Sequence, residues 1–241
     1  MNRAMDVAAS GMAAEQSELD TITENLSSAD VTAFKQAIAH VRAFGADDDA
    51  PGVAVDGERR LFTQGKLIAS GGPFDIALRG EGFFAVQRGN AVAYTRDGSF
   101  TRNAQGQLIN GDGWHLAGLR APAEARSLSV SPNGRVRART AHGESLIGRI
   151  RIALFSSPER LRVLEPTLFA ETPTSGGALF LAPNPERGPS IAFGMLERSN
   201  VSIVESMMEI MKAQRAYEAD AKGVQAADDM TRIANNLERG A

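Results

Sequence analysis

The stretch Ser199–Leu237, SNVSIVESMMEIMKAQRAYEADAKGVQAADDMTRIANNL, decides how the rest of the chain is read. Apolar residues recur at Ile203, Met207, Ile210, Tyr217, Ala221 and Val224 in steps of three and four, broken by Gln214. They continue in shorter steps through Ala227, Met230, Ile233 or Ala234, and Leu237. This is the period of an amphipathic helix, close to a coiled-coil seam. At 1.5 Å per residue such a helix runs to roughly 50 Å, longer than a compact domain of this size needs. Asn200 or Ser202 serves as its cap, Glu205 falls in its first turn, and Gly240 follows its end. A long, narrow apolar stripe needs a partner helix.

The opposite terminus supplies one. Met1, Met5, Ala8, Met12, Leu19, Ile22 and Leu26 follow alternating steps of four and three, with Glu15 the only break. Periodicity alone also fits an ordinary surface helix packed on its own domain. Two such seams at opposite ends of the chain favour pairing with each other or with neighbouring molecules.

Between them the character changes. Val31–Lys35 leaves the helix, Gln36–Phe44 reads as either a short helix or an extended arm, and Gly45–Gly57 reads as loop. The run Asp47-Asp48-Asp49 lacks the alternating spacing of a calcium loop and is read as solvated. From Leu61 to about Pro183, short strands alternate with Gly, Asn and Pro. Phe74–Leu78, Gly82–Gln87, Ala91–Arg96, Trp114–Leu119, Ser127–Val130, Arg135–Arg139 and Arg149–Phe155 are the predicted strands. Arg88-Gly89-Asn90 joins two of them as a hairpin. Thr172–Pro189 is expected as loop, and Ile191–Arg198 as an extended return. The predicted fold is α+β, with coiled-coil-like N- and C-terminal helices flanking an inserted all-β domain. Its divisions are a helix over 1–30, a connecting arm over 31–60, the β domain over 61–184, a return arm over 185–199 and the second helix over 200–241.

Composition narrows the function classes. The 241 residues are 43% hydrophobic and 23% charged, with a net charge of −3. That balance argues neither for nucleic acid nor for an anionic membrane surface. No apolar run approaches the ~18 residues of a membrane span. Asp6 interrupts the place where a secretory apolar segment would sit, so the expectation is a cytoplasmic chain or export by a machine that reads unprocessed N-termini. The absence of cysteine excludes disulfides and thiol chemistry. His40, His115 and His142 have no metal-ligand spacing, and Gly80-Glu81-Gly82 lacks the following helix of a phosphate cradle. Trp114 is read as core, and Arg135, Arg137 and Arg139 as a solvated strand face. No catalytic, cofactor-binding or metal residue is assigned.

Several runs resemble the axial-structure proteins of the bacterial flagellum, the rod and hook family. Ile22–Lys35 is similar to the family pattern I-A-N-N-[LI]-A-N-x-x-T-x-G-[FY]-K, with Asn25, Leu26, Phe34 and Lys35 matching. Glu24, Ser28, Val31 and Ala33 depart from the usual Asn, Asn, Thr and Gly. The alanine puts the family's glycine-type turn at this point in question. Gln64–Leu67, Asp75–Val86, Tyr94–Phe100 and Gly106–Leu108 resemble the family's central motifs. Ser199-Asn200-Val201 and Gln214-Arg215-Ala216-Tyr217 resemble its C-terminal signature. Taken in order, these motifs cover nearly the whole chain.

The resemblance implies a rod subunit that self-assembles into a helical tube, with no enzymatic role and no cofactor. Size and the short Gln36–Phe62 excursion favour the proximal rod type, as does the Asp228–Asn235 ending. The distal type, which Gln214–Glu218 resembles, comes second, and a hook-type subunit is a further alternative. The implied assembly residues are Met5, Met12, Leu19, Ile22, Asn25, Leu26, Phe34, Asn200, Val201, Met207, Ile210, Gln214, Tyr217 and Val224. The implied partners are itself, other proximal and distal rod subunits, the hook as a further candidate, and the flagellar export apparatus; nucleic acid and small-molecule substrates are not among them. The implied location is the periplasm-spanning rod of the basal body, reached without a cleaved signal peptide. A secreted coiled-coil binding module is the alternative from a different class, and it predicts a closed oligomer.

Overall fold

The computed structural model describes residues 3–45, 52–122, 124–125, 127–141 and 143–239. Met1, Asp47–Asp49, His142 and Gly240, all used in the sequence reading, lie outside the described residues. The chain forms two compact units. One comprises residues 1–27, 37–60 and 202–241; the other comprises 28–36 and 61–201.

The first unit contains α1 (Arg3–Ser27), β1 (Ala37–Phe44), β2 (Gly52–Arg60) and α2 (Ile203–Arg239). Both helices form where the apolar period predicts them. At 37 residues α2 is roughly 55 Å long. Its start is capped by Ser202, whose Oγ accepts from the Glu205 N–H at 3.4 Å, while Asn200 is used elsewhere. The segment expected as arm and loop forms an antiparallel hairpin instead. Ala37 pairs with Arg60 and Phe44 with Gly52, with a register shift between Ala39 and Val41. Neither helix, nor any other among the described residues, is long and apolar enough to cross a membrane.

Apart from a 3-10 turn at Pro158–Arg160, the regular structure of the second unit among the described residues is all strand. It runs through β3 (Leu67–Ala69), β4 (Ile76–Arg79), β5 (Phe83–Arg88), β6 (Ala91–Thr95), β7 (Thr101–Arg102), β8 (Gln107–Ile109), β9 (His115–Arg120) and β10 (Ser127–Val130). It continues with β11 (Arg135–Thr140), β12 (Gly143–Arg149), β13 (Ile152–Leu154), β14 (Arg162–Glu165), β15 (Leu168–Ala170), β16 (Leu179–Leu181), β17 (Ser190–Phe193) and β18 (Met195–Glu197). The main sheet has the order β14-β15-β6-β5-β9-β8-β7, and β13 pairs with both β5 and β16. A second sheet has the order β10-β11-β12, and β4 and β3 pair with the returning strands β17 and β18. The predicted hairpin is present as β5–β6, with Arg88 opposite Ala91. Strand β16 falls within the stretch expected as loop.

Strand β5 explains the packing. Phe84 and Val86 enter one cluster with Ile76, Leu78, Trp114 and Ile152. Phe83 and Ala85 enter a second with Tyr94 and Phe169. Both faces are covered, which is why this strand reads as a continuous apolar run instead of alternating. Phe62 stands edge-on to Phe83 and Phe169, each at 5.0 Å between centroids. Trp114 is core, as expected, and the Arg88 guanidinium lies 4.5 Å from its ring centroid. The exposed positions of β11 are Arg135, Arg137 and Arg139, a solvated face.

Ala33 has φ 58, the left-handed region that the related motif fills with glycine. It is fully buried, and its N–H donates to the Glu197 carbonyl at 2.8 Å. The turn geometry is therefore kept despite the missing glycine, at a steric cost of about 1–2 kcal/mol from the Cβ. Ala33→Gly is expected to stabilise the chain by about 1 kcal/mol, after the glycine's greater unfolded-state entropy is subtracted. A shift of the chemical-denaturation midpoint to higher denaturant with unchanged slope checks this; an unchanged or lower midpoint contradicts it.

Candidate assembly interface

A carboxylate lies at the centre of the β unit. Glu197, on β18, is 1% exposed and bonds both Lys35 and Arg96. Its Oε1 accepts from Lys35 Nζ at 2.6 Å and from the Gly65 N–H at 2.8 Å, and its Oε2 accepts from Arg96 Nε at 2.9 Å. The remaining donors also find acceptors. Lys35 Nζ reaches the Thr63 carbonyl at 2.8 Å, and Arg96 reaches the Gly82 and Gly80 carbonyls at 2.8 and 2.9 Å. The Gly80-Glu81-Gly82 turn is thus a guanidinium receptor. Burial lowers the Lys35 ammonium to about 8; Glu197 opposes this, and Arg96 adds to it.

The same cluster fastens the segments through which the chain enters and leaves this unit. Asn200 Oδ1 accepts from the Gln36 N–H at 2.7 Å, and its Nδ2 donates to the Leu61 carbonyl and Thr63 Oγ1, each at 2.8 Å. The Asn200 N–H donates to the Phe34 carbonyl at 3.4 Å. Phe34 is fully buried beside them, and Val201 is half-buried. Asn200 and Phe34 thus make their hydrogen bonds and packing within one chain.

In the helical unit α1 and α2 pack antiparallel. Gly11 faces Asp220, so that a Cβ at Gly11 would overlap the carboxylate, and Glu18 lies near Glu209. Among the described residues the buried positions of α2 are Ser206, Ala213 and Ala227, and half-buried Asp220 completes a spacing of seven. Small residues thus form the contact. The other face of α1 holds the β1–β2 hairpin. Asn25 is buried and exchanges hydrogen bonds with the Ala37 backbone at 2.8 and 2.7 Å, Ser10 Oγ accepts from the Val53 N–H at 3.1 Å, and Glu24 pairs with Arg60 at 2.8 Å.

The remaining predicted assembly residues divide by exposure. Ile22 is buried; Met5, Met12, Leu19, Leu26, Ile210 and Val224 are half-buried; Gln214 is exposed. Met207 and Tyr217 are exposed, by 52% and 40%. Val204, Met208 and Met211 are also exposed, on the side of α2 away from Ser206 and Ala213. The sequence reading missed this strip, because the two apolar stripes overlap in a single periodicity.

Elsewhere in the β unit the described residues form one notable cavity. An apolar cavity of about 410 Å³ is lined by residues including Tyr94, Leu116, Ile150, Phe180 and Glu171. Burial first, and then Glu171, push the Tyr94 hydroxyl up to about 12, so it keeps its proton. Among the described residues no cluster of His, Asp and Glu is arranged to hold a metal.

A chain that combines a helical unit carrying an exposed apolar strip with a separately clamped β insertion has the construction of an assembly subunit. Comparison with known proteins identifies the family. The profile described as "Flagella basal body rod protein" matches residues 5–35, "Flagellar hook protein FlgE/F/G D1 domain" matches 77–138, and "Flagellar basal body rod FlgEFG protein C-terminal" matches 193–237. The flagellar basal-body rod protein FlgG of Borreliella burgdorferi is 35% identical, covering 99% of this chain and 100% of the relative. FlgG of Agrobacterium fabrum is 31% identical, covering 96% and 97%. The rod protein FlgF of Caulobacter vibrioides is 31% identical, covering 97% of both chains. The chain belongs to the flagellar basal-body rod protein family and is a structural subunit of the basal-body rod.

Two predictions follow from charge. Glu197→Gln leaves Lys35 and Arg96 buried without a counter-charge and should cost about 3–5 kcal/mol, read as a lower denaturation midpoint; a loss under about 1 kcal/mol would sink the clamp. In the helical unit, burial raises Glu15, helped by Glu18 and Asp220; burial also raises Glu209, helped by Glu205 and Glu18, with Lys212 opposing. Groups raised on folding stabilise at low pH, and that contribution is lost as pH rises through their folded values. Helicity should therefore resist urea better near pH 5 than at pH 7, with Glu209→Gln flattening the difference.

Proposed function

We propose that the subunit polymerises through α1 and α2 into the helical tube of the rod, which transmits torque and conducts exported subunits during flagellum-dependent motility. The observation that carries this reading is the strip Val204, Met207, Met208 and Met211, left exposed on a helix already covered by α1 on its other side. A contact made by different surfaces on the two copies repeats without closing and yields a filament. The seven-residue spacings of Ser206, Ala213, Asp220 and Ala227, and of Met5, Met12, Leu19 and Leu26, support coiled-coil-like packing within and between copies.

In this reading Asn25, Phe34 and Asn200 shape the subunit, while Met5, Met12, Leu19, Leu26, Met207 and Tyr217 meet neighbours. Ile22, Ile210, Gln214, Val201 and Val224 lie at the margin between the two roles. The partners are further copies and other rod subunits, with the hook beyond them. Delivery is by the flagellar export apparatus, into a rod that spans the periplasm. No nucleic acid, small-molecule substrate, cofactor or catalysis enters the reading. Its proximal or distal place is set by axial neighbours; the short Gln36–Phe62 excursion supports the proximal place, with the distal type second.

Purified chain should show concentration-dependent growth in sedimentation velocity and elongated particles by electron microscopy. Leu19→Asp and Met208→Asp should each raise the concentration required by at least ~10-fold, from burial of one unpaired charge at the contact. Their near-ultraviolet signal from Trp114 should stay unchanged. A wild-type chain that remains monomeric, or forms a closed oligomer, would overturn the reading.

A further inference from the structure

The helical unit leaves two strips open, and their charges are complementary. On α2, exposed Val204, Met208 and Met211 lead in helical steps to exposed Arg215 and Lys222. The ion pairs of α2 among the described residues are those of Arg232 with Asp228 and Asp229, so Arg215 and Lys222 are not engaged there. On α1, Met5, Met12, Leu19 and Leu26 recur every seven residues and are half-buried, each with an open flank. Glu15 borders that strip toward α2, where it faces Glu18 and Asp220, and exposed Asp20 borders it on the other side. The α1 sequence carries a single arginine against five carboxylates.

We propose that the face of α2 running from Val204 to Lys222 seats α1 of a second copy. With the helices parallel, Met5 and Met12 lie on Val204, Met208 and Met211, Glu15 and Asp20 receive Arg215 and Lys222, and Leu19 and Leu26 run on along the same face. This deepens the rod-subunit reading and rests on it. The charges select the occupant. Exposed Glu218 borders the α2 strip as well, but a second α2 would still set its own Arg215 and Lys222 against these, whereas α1 brings carboxylates and no lysine or arginine beyond Arg3. Lengths agree too: at 1.5 Å per residue the strips span about 32 Å on α1 and about 27 Å on α2. A copy that lends its α1 keeps its own α2 face free, so the contact propagates.

Charge exchange tests this on the full chain. Arg215→Glu with Lys222→Glu gives a subunit acidic on both faces, and Glu15→Lys with Asp20→Lys gives one basic on both. Each alone should need at least ~10-fold more protein to assemble than wild type in sedimentation velocity, with helicity retained. An equimolar mixture should assemble near the wild-type concentration, because each variant's α1 then meets an opposite α2. Either variant assembling normally by itself, or a mixture that fails while wild type assembles, overturns the pairing and leaves the rod reading intact. Wild type failing to assemble overturns both.

Discussion

One carboxylate carries the architecture of the β unit. Glu197 is enclosed from water and faces two cations, so neither its charge nor theirs is tolerable without the others. The energetic value of such a cluster lies less in net stability than in exclusiveness. Any arrangement separating Lys35 from Arg96 and Glu197 strands a charge in an apolar interior. The cluster draws on residues from three distant parts of the chain, and its hydrogen bonds to Thr63, Gly65, Gly80 and Gly82 fix the backbone around it. Asn200 extends the same logic with neutral groups, tying Gln36, Leu61 and Thr63 to the start of the C-terminal segment.

The helical unit follows a different rule. Gly11 of α1 meets Asp220 of α2, and the buried residues of the pair among the described ones are mostly small: Ala14, Ser206, Ala213 and Ala227, with Ile22 the large exception. Several carboxylates converge on this contact, and the large apolar side chains of α2 mostly point elsewhere.

Much of this was legible in the sequence. Helical periods located α1 and α2, and Arg88-Gly89-Asn90 located the β5–β6 hairpin. The strand clusters gave an all-β insertion, and the ordered motifs gave the family. The β1–β2 hairpin was not legible, because its outer positions from Arg42 to Phe44 and from Asp56 to Arg59 are exposed and lack alternation. Glu197 was invisible for another reason: a lone glutamate in a short strand carries no sign that its partners lie 101 and 162 residues away. The seam on α2 was placed by its large residues, yet the contact with α1 uses the small ones. Spacing identifies a helix; it does not say which of two overlapping stripes meets which partner.

The Lys35–Glu197 pair also has a bearing on the order of folding. Its members are separated by 162 residues, so the loop they close is nearly the whole β insertion. Phe34, Lys35 and Arg96 have no final place until the segment around Glu197 is present. Long-range closure of this kind is slow, and it makes completion of the fold conditional on the last strand. A chain moving through a narrow passage with its N-terminus ahead would keep the residues ahead of Glu197 from locking prematurely. It would acquire its rigid form only once Glu197 had emerged, so that length travelled acts as the trigger for consolidation.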